Sequence, residues 1–518
     1  MRSRNKVVAT FKISESGVSR VEWVALTGKQ KHSGTIEGLI DYMERVRGGT
    51  DFYVYGLHLI ATNIIAKLKG YEFEDDKKPS PGHFTFFAIE MGQWYSFSLT
   101  NKSHGVTHKF FDIFHILPID KNKIRSSFAN PEDDELEVMR KTVAYLKKSG
   151  MSDKLTIGSK ALTTAKAMHP GFDSYFPELD EKADRFCRVA YKGGYMFYRE
   201  KFQFIGSGKC YDVNNMYPWI LKNKPLPYGA PVWFEGEKAE RIPEGTLYIA
   251  ECLLDIRLKP GKLPILCKKD GCLGTEFVSD TRGARTYIIT SVEVESIFER
   301  YEVFDFQIIR GFMFRKACGI FSDYVDLYYN MKVTAKTPAE SLIAKLMNNN
   351  LIGKFGTKPW GTRLLYENGE YVKQRTEIKT VYVPLAAFLN AYGRVMISDY
   401  AQKCEKDSLF YIDTDSIFTS DEPDLPISGE LGDFKIEKEF DSFAVNKMKQ
   451  YAWHNSDGWN VVISGVPREV LAMTRNMDED DEAFIKKFTL GFDIDSVADC
   501  MVDGIYRKNR TTFHIGKS

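Results

Sequence analysis

The chain has 518 residues, 43% of them hydrophobic and 14% aromatic, with a formal net charge of +1. Its length supports several hydrophobic cores in two to four domains, and no apolar run approaches the roughly 20 residues needed to cross a bilayer. The near-neutral balance excludes a wholesale basic nucleic-acid-coating protein and leaves room for a local basic groove.

The N-terminal "MRSRNKVVATF" lacks the long apolar segment of a secretion signal, so the cytoplasm is the expected location. Residues 1 to about 150 mix strand-like runs ("KVVATFKI", "FTFFAIEMGQWYSFSL") with helical ones ("TNIIAKLKGYEF", "DELEVMRKTVAYLKK"), which reads as an α/β domain. A boundary is expected near the polar "KKSGMSDK". From 195 to 312, β-rich stretches alternate with turns such as "KPLPYGAP". Residues 321–352 are the clearest helical segment, with Thr337, Pro338 and Glu340 as a start signal. The run "LLYENGEYVKQR" then predicts a hairpin turning at Asn368-Gly369. The eight cysteines, at 187, 210, 252, 267, 272, 318, 404 and 500, form no CxxC pair, so neither a zinc knuckle nor a disulfide framework is expected.

Three stretches carry chemistry. "FYIDTDSIF" sets Asp413 and Asp415 among tightly flanking strand-formers. Asp and Thr are ordinary turn residues, but a turn does not need such neighbours, so the carboxylates are expected at the tip or bend of a buried hairpin. Two charges that close repel unless water or a cation separates them, and hard divalent cations prefer carboxylate oxygens. The third carboxylate of a magnesium site is sought in "KCYDVNNMYPWIL". There Asp212 ends a strand-like run and Tyr217-Pro218 closes the next turn; a capping aspartate is the plainer reading. In "AKLMNNNLIGKFG", Lys345, Asn349 and Ile352 recur at intervals of four and three, on one helix face. That face is either a solvated amphipathic surface or a lysine aimed at a triphosphate. In this order, the three elements describe a nucleotidyl transferase.

The succession "DVNNMYP", "KLMNNNLIG", "YIDTDS" resembles the three polymerase motifs of family B DNA polymerases. "YKGGY", "PLPYGAP", "GFMFRKACGIFSDYVD" and "KQY" resemble the protein-primed, phi-29-like phage branch. The resemblance covers nearly the whole chain. It implies a multidomain α/β and α+β fold: a degenerate RNase H-like exonuclease domain (1–154), then a right-hand polymerase. The implied parts are palm (155–223 and 385–464), fingers (320–356) and thumb (465–518), with protein-priming-type insertions at 224–319 and 357–384.

By the same resemblance, Asp212 and Asp415 hold two Mg²⁺ ions, for which Mn²⁺ can substitute, with Asp413 supporting the cluster. Tyr217 stacks beneath the incoming sugar and excludes a 2′-hydroxyl. Lys345 grips the triphosphate, with Lys332 as a second contact; Asn349 and Ile352 line the nascent base pair. Lys449 and Tyr451 hold the primer strand, while Tyr191, Gly193 and Gly194 belong to a loop whose glycines let backbone approach template phosphates. Implied partners are primer-template and single-stranded DNA, dNTPs and a terminal protein primer, with no membrane and a monomeric state. The implied location is the host cytoplasm if the protein is phage-encoded.

Two departures from the family stand out. In the second motif, Asn350 and Ile352 replace the usual serine and tyrosine, from which altered nucleotide discrimination is expected. In the N-terminal domain, Thr10, Lys12, Ile60 and Thr142 align with the family's four exonuclease carboxylates, and Gly56 and Val138 with its asparagine and tyrosine, so a two-metal hydrolysis has nothing to hold its ions. Asp112 in "FFDIF" cannot serve alone. The alternative to an active polymerase is a DNA-binding scaffold derived from one.

Overall fold

The computed structural model describes residues 4–463 apart from 15–16, 29 and 271–273. The expected thumb, 465–518, lies outside the described residues, as do Cys272 and Cys500. The architecture is mixed α/β and multidomain. The chain divides into two compact units, residues 1–168 with 326–380, and residues 169–325 with 381–518.

The first unit is built on an eight-stranded sheet. Its order is Lys31–Gly34, Gly17–Ala25, Asn5–Ser14, Thr50–Val54, Thr107–Asp112, Gln93–Thr100, His83–Glu90 and Glu72–Phe73. Thr50–Val54 is buried along its whole length and parallel to both neighbours, as a central strand covered on both faces should be. Phe52 and Phe110 stack at 4.4 Å across this pair, and Trp94 and Phe97 close the same core. The long run at 84–99 folds as two paired strands. The helix expected in "TNIIAKLKGYEF" starts earlier, at Leu57, and ends at Lys67. Its last residues instead add the short edge strand Glu72–Phe73. Gly70, at φ 68°, allows that change of direction.

Two later segments join this unit. The helical segment expected over 321–352 consists of two helices, Ser322–Val333 and Pro338–Phe355. The second starts where Thr337 Oγ1 accepts from Glu340 N–H at 3.3 Å and Pro338 fits a first-turn position. Residues 155–168, expected in the palm, include helix Ile157–Met168, which packs on Pro338–Phe355. The hairpin Trp360–Glu367/Glu370–Glu377 turns at Asn368 (φ 52°) and Gly369 (φ 87°), as its sequence predicts. It docks on strand His83–Glu90: Leu364 enters the core, Tyr366 and Tyr371 pack on Phe84 and Phe86, and Arg363 forms a two-pronged ion pair with Asp75.

The second unit holds a seven-stranded sheet in the order Gly458–Ile463, Gln450–Asn455, Phe434–Lys447, Phe202–Val213, Ser416–Thr419, Leu409–Thr414 and Tyr195–Tyr198. A four-stranded sheet runs Leu226–Glu235, Tyr301–Ala317, Leu247–Leu258 and Arg285–Thr290. "KPLPYGAP", expected as a turn, lies mostly in the first of these strands. Its proline and glycine are absorbed by a register break between Tyr228 and Val232, with Gly229 at φ 77°. Helix Val383–Ala401, almost wholly buried, packs against helices Glu181–Ala190, Met216–Asn223 and Ser291–Arg300.

Candidate active site

The three sequence-predicted aspartates lie within three neighbouring strands of the seven-stranded sheet and the turn that joins two of them. Ser416 is the register partner of both Asp212 and Asp413, so its strand lies between the two that carry them. Asp415 sits in the link joining Leu409–Thr414 to Ser416–Thr419. This is the bend of a buried hairpin, but Asp413 and Asp415 are not alternate residues of one straight strand. Asp415 N–H donates to Asp413 O at 2.7 Å, closing a three-residue turn around Thr414 at φ 64°. A β-branched residue with positive φ is strained by about 1–3 kcal/mol, so the surroundings must impose it. Val213 N–H donates to Asp415 O at 2.9 Å and ties the turn to the Asp212 strand.

Beneath the carboxylates lies an aromatic core of Phe410, Tyr411, Phe418, Phe440, Phe443 and Tyr451, with Cys210. Tyr451, expected at the primer, is 7% exposed, and its ring lies 4.6 Å from that of Tyr411. Tyr411 Oη in turn accepts from Lys449 N–H at 3.0 Å. Tyr451 therefore supports the position of Lys449 from below, and most of its surface is packed against protein.

The electrostatics separate the three acids. Lys435 Nζ lies 3.1 Å from Asp212 Oδ1, and the Lys449 ammonium pairs with Asp413. Among the described residues Asp415 has no ion pair. Burial, then the charges of Asp212 and Asp413, push its carboxyl up to about 7. No group of three or more His, Cys, Asp or Glu side chains among the described residues is drawn together as around a bound metal ion. Two carboxylates are engaged by lysines, and the third would be relieved by a cation. That donor chemistry fits a hard divalent ion.

Tyr217 and Pro218 do not close a turn; they lie in the first turn of helix Met216–Asn223. Asp212 ends its strand and does not cap this helix, whose N-cap is Asn215. The Tyr217 ring packs under Gly393, where an added Cβ would lie 3.1 Å from Cε1, and burial raises its phenol. The "YKGGY" loop docks on the turn around Thr414. A Cβ on Gly194 would come within 2.8 Å of Thr414 Cγ2, and Gly193 N–H donates to Thr275 Oγ1 at 3.0 Å. The close approach that these glycines permit is thus to protein, at least on this side of the loop. Tyr191, half-buried, has the Lys269 ammonium 5.8 Å from its ring centre.

Sequence reasoning missed the residues that fix this loop. Arg394, fully buried, donates to Gly193 O at 2.8 Å and pairs with buried Glu293 at 2.7 Å; Asn390 donates to Lys192 O at 2.6 Å. The available signal was Asn390 and Arg394 at i, i+4 in a helix whose residues up to Ile397 are otherwise without charge. Burying an arginine requires a partner. Lys435 gave no local signal, because its pairing with Asp212 is made across strands.

In the first unit, Lys345 and Asn349 are exposed and Ile352 half-exposed on one face of Pro338–Phe355. Ile343, Met347, Leu351 and Phe355 are buried on the other. Lys332 falls in the last turn of the preceding helix. Of the positions expected to align with exonuclease motifs, Thr10 is half-exposed and Lys12 exposed. Ile60, Val138 and Thr142 are buried, and Gly56 is the N-cap of Leu57–Lys67. Asp112, 4% exposed, accepts from Gly56, Leu57 and Phe114 N–H groups, and burial pushes it up to about 6. It holds helix ends. No helix among the described residues is long and apolar enough to cross a membrane.

Residues 136–425 match the family described as DNA polymerase type B, organellar and viral. The chain is 31% identical over 414 residues to the DNA polymerase of Bacillus phage Nf, with 71% of each chain covered. It is 29% identical over 413 residues to that of Bacillus phage phi29, with 71% of this chain and 70% of that one covered. The fold matches phi29 DNA polymerase complexed with primer-template DNA and incoming nucleotide substrates at a TM-score of 0.79 and 22% identity, over 95% of this chain and 96% of that one. The match to the same polymerase complexed with single-stranded DNA has the same score, identity and coverage.

Proposed function

Because the chain belongs to the type B DNA polymerases of the protein-primed, phi29-like phage kind, we propose that it extends a primer 3′-hydroxyl with deoxynucleotides on a DNA template, using Asp212, Asp413 and Asp415 as the acidic floor of the reaction. The observation that supports this is the placement of Asp212 and Asp413 on the two strands flanking the Ser416 strand, with Asp415 in the turn between and pushed up to about 7 by its burial and its two neighbours. Asp212 and Asp415 would hold two divalent ions, Mg²⁺ or Mn²⁺, with Asp413 alongside. Bound there, the ions would neutralise the triphosphate and favour deprotonation of the primer hydroxyl.

The other residues position and select. Tyr217, braced by Gly393, presents its ring beneath the incoming sugar and leaves no room for a 2′-hydroxyl. Lys345, with Lys332 as a second contact, binds triphosphate oxygens, and Asn349 and Ile352 line the base pair. Lys449 places an ammonium beside Asp413 for the primer strand, with Tyr451 supporting it. The loop bearing Tyr191, Gly193 and Gly194 faces the template backbone with its remaining surface. Sequence is then read by base pairing, so contacts fall on backbones and shape.

The reading extends to a monomer acting on primer-template and single-stranded DNA, able to start from a terminal-protein hydroxyl and displace the downstream strand, and lacking 3′–5′ proofreading. Primer extension with Mg²⁺ and four dNTPs, compared between the parent chain and Asp212→Asn, tests the polymerase: extension must fall by at least about 10³-fold, as befits loss of a catalytic-metal ligand. A covalent dNMP adduct on the cognate terminal protein tests priming, and extension from DNA primers alone would remove that part.

A further inference from the structure

Lys435 is absorbed by none of these roles. It lies on strand Phe434–Lys447 as the register partner of Asp212, so both side chains leave the same face of the sheet. Its ammonium sits 3.1 Å from Asp212 Oδ1, with Lys435 48% and Asp212 20% exposed. Lys438, three residues on, engages Glu437 at 2.9 Å and lies over Phe418 and Trp453. Lys435 and Lys438 are thus differently employed, and of the two Lys435 reaches an aspartate assigned to cation binding.

We propose that Lys435 is a built-in counter-ion for Asp212, which a divalent cation must displace before it binds, so that this lysine sets the cation concentration at which the site fills. The inference rests on the reading of Asp212 as a cation ligand. An ammonium and a divalent ion compete for the same carboxylate oxygen, and two cations within about 4 Å repel. Because the Lys435 backbone is fixed opposite Asp212, a displaced ammonium stays tethered beside the site. Lys435 is a positioning residue in this account: it acts through Asp212, and its effect appears without DNA, nucleotide or turnover.

The test is Mn²⁺ binding to the full-length protein, free of DNA and nucleotide, followed by loss of the free-ion resonance at low ionic strength. Lys435→Met keeps the apolar stem on an exposed position and should tighten Mn²⁺ binding at least about threefold, the scale of a part-exposed ion pair. Lys435→Arg should restore the parent affinity. Lys438→Met should leave affinity unchanged, and added KCl should shrink the Lys435→Met effect by screening. Unchanged or weaker binding in Lys435→Met, or equal tightening in Lys438→Met, overturns the proposal. Asp212→Asn separates the two levels. If it binds Mn²⁺ as the parent does, the ligand reading itself fails; if it weakens binding while Lys435→Met changes nothing, only the counter-ion role fails.

Discussion

Gly194 lies against Thr414 so closely that a Cβ on the glycine would stand 2.8 Å from Thr414 Cγ2 and 3.0 Å from Oγ1. Thr414 is the centre of the turn that sets Asp413 beside Asp415, and it is held at φ 64°. The loop therefore helps to impose a backbone shape that threonine would not adopt by choice. Gly194→Ala should push the turn and lower the extension rate by about tenfold or more, as sub-ångström displacement of reacting groups does, while the melting temperature changes little. Adding Thr414→Gly, which removes the clash and tolerates positive φ, should recover part of the rate. Rapid-quench extension measures both; an unaffected Gly194→Ala enzyme would disconnect loop and turn.

The carboxyl of Asp415 titrates near 7 in the folded chain, against an ordinary 3.8. Because the folded value is raised, the neutral acid's contribution to stability is complete below the unfolded value and is lost as pH rises through about 7. Asp415→Asn should melt together with the parent at pH 4 and higher than it at pH 8 in EDTA, by about 1–3 kcal/mol. Mg²⁺ should narrow the gap at pH 8. Melting curves at the two pH values decide, and a gap that is equal at both would contradict the electrostatic account.

Asp112 binds three backbone N–H groups at helix ends. Asp112→Ala should cost about 1–3 kcal/mol by orphaning them, with no change in nucleotide release from a mismatched primer, because that release is expected to be absent from the parent. Appearance of mismatch-dependent release that Asp112→Ala abolishes would restore a nuclease to this domain.

On helix Pro338–Phe355 the exposed face carries Lys345. Lys345→Ala should raise KM for dNTP about tenfold, the scale of one charge-assisted phosphate contact, and leave template binding intact. Ile352→Tyr should change the misincorporation ratio, measured with single dNTPs on defined templates. An unchanged ratio removes the idea that Ile352 tunes discrimination.

What the sequence disclosed was local. The aspartate hairpin, the Asn368-Gly369 turn and the common face of Lys345, Asn349 and Ile352 are each written within about ten residues, in turn chemistry or helical period. The start of the second helix was legible too, in Thr337, Pro338 and Glu340. "KPLPYGAP" misled because an edge-strand bulge uses the same residues as a turn. The Glu293–Arg394 pair, the Gly194–Thr414 contact and Lys435 beside Asp212 span 101, 220 and 223 residues of chain, and only the folded sheet brings them together.

The central claim is that the aspartates of the hairpin carry the polymerase reaction. Its most direct measurement is extension of a labelled primer on a DNA template with Mg²⁺ and the four dNTPs, beside an Asp413→Asn, Asp415→Asn protein shown to be folded and to bind the same DNA. The account predicts processive extension by the parent and none above about 10⁻³ of its rate by the variant. Equal extension by the two would contradict it, and tight DNA binding without extension by the parent, even when terminal protein is supplied, would favour a scaffold derived from a polymerase.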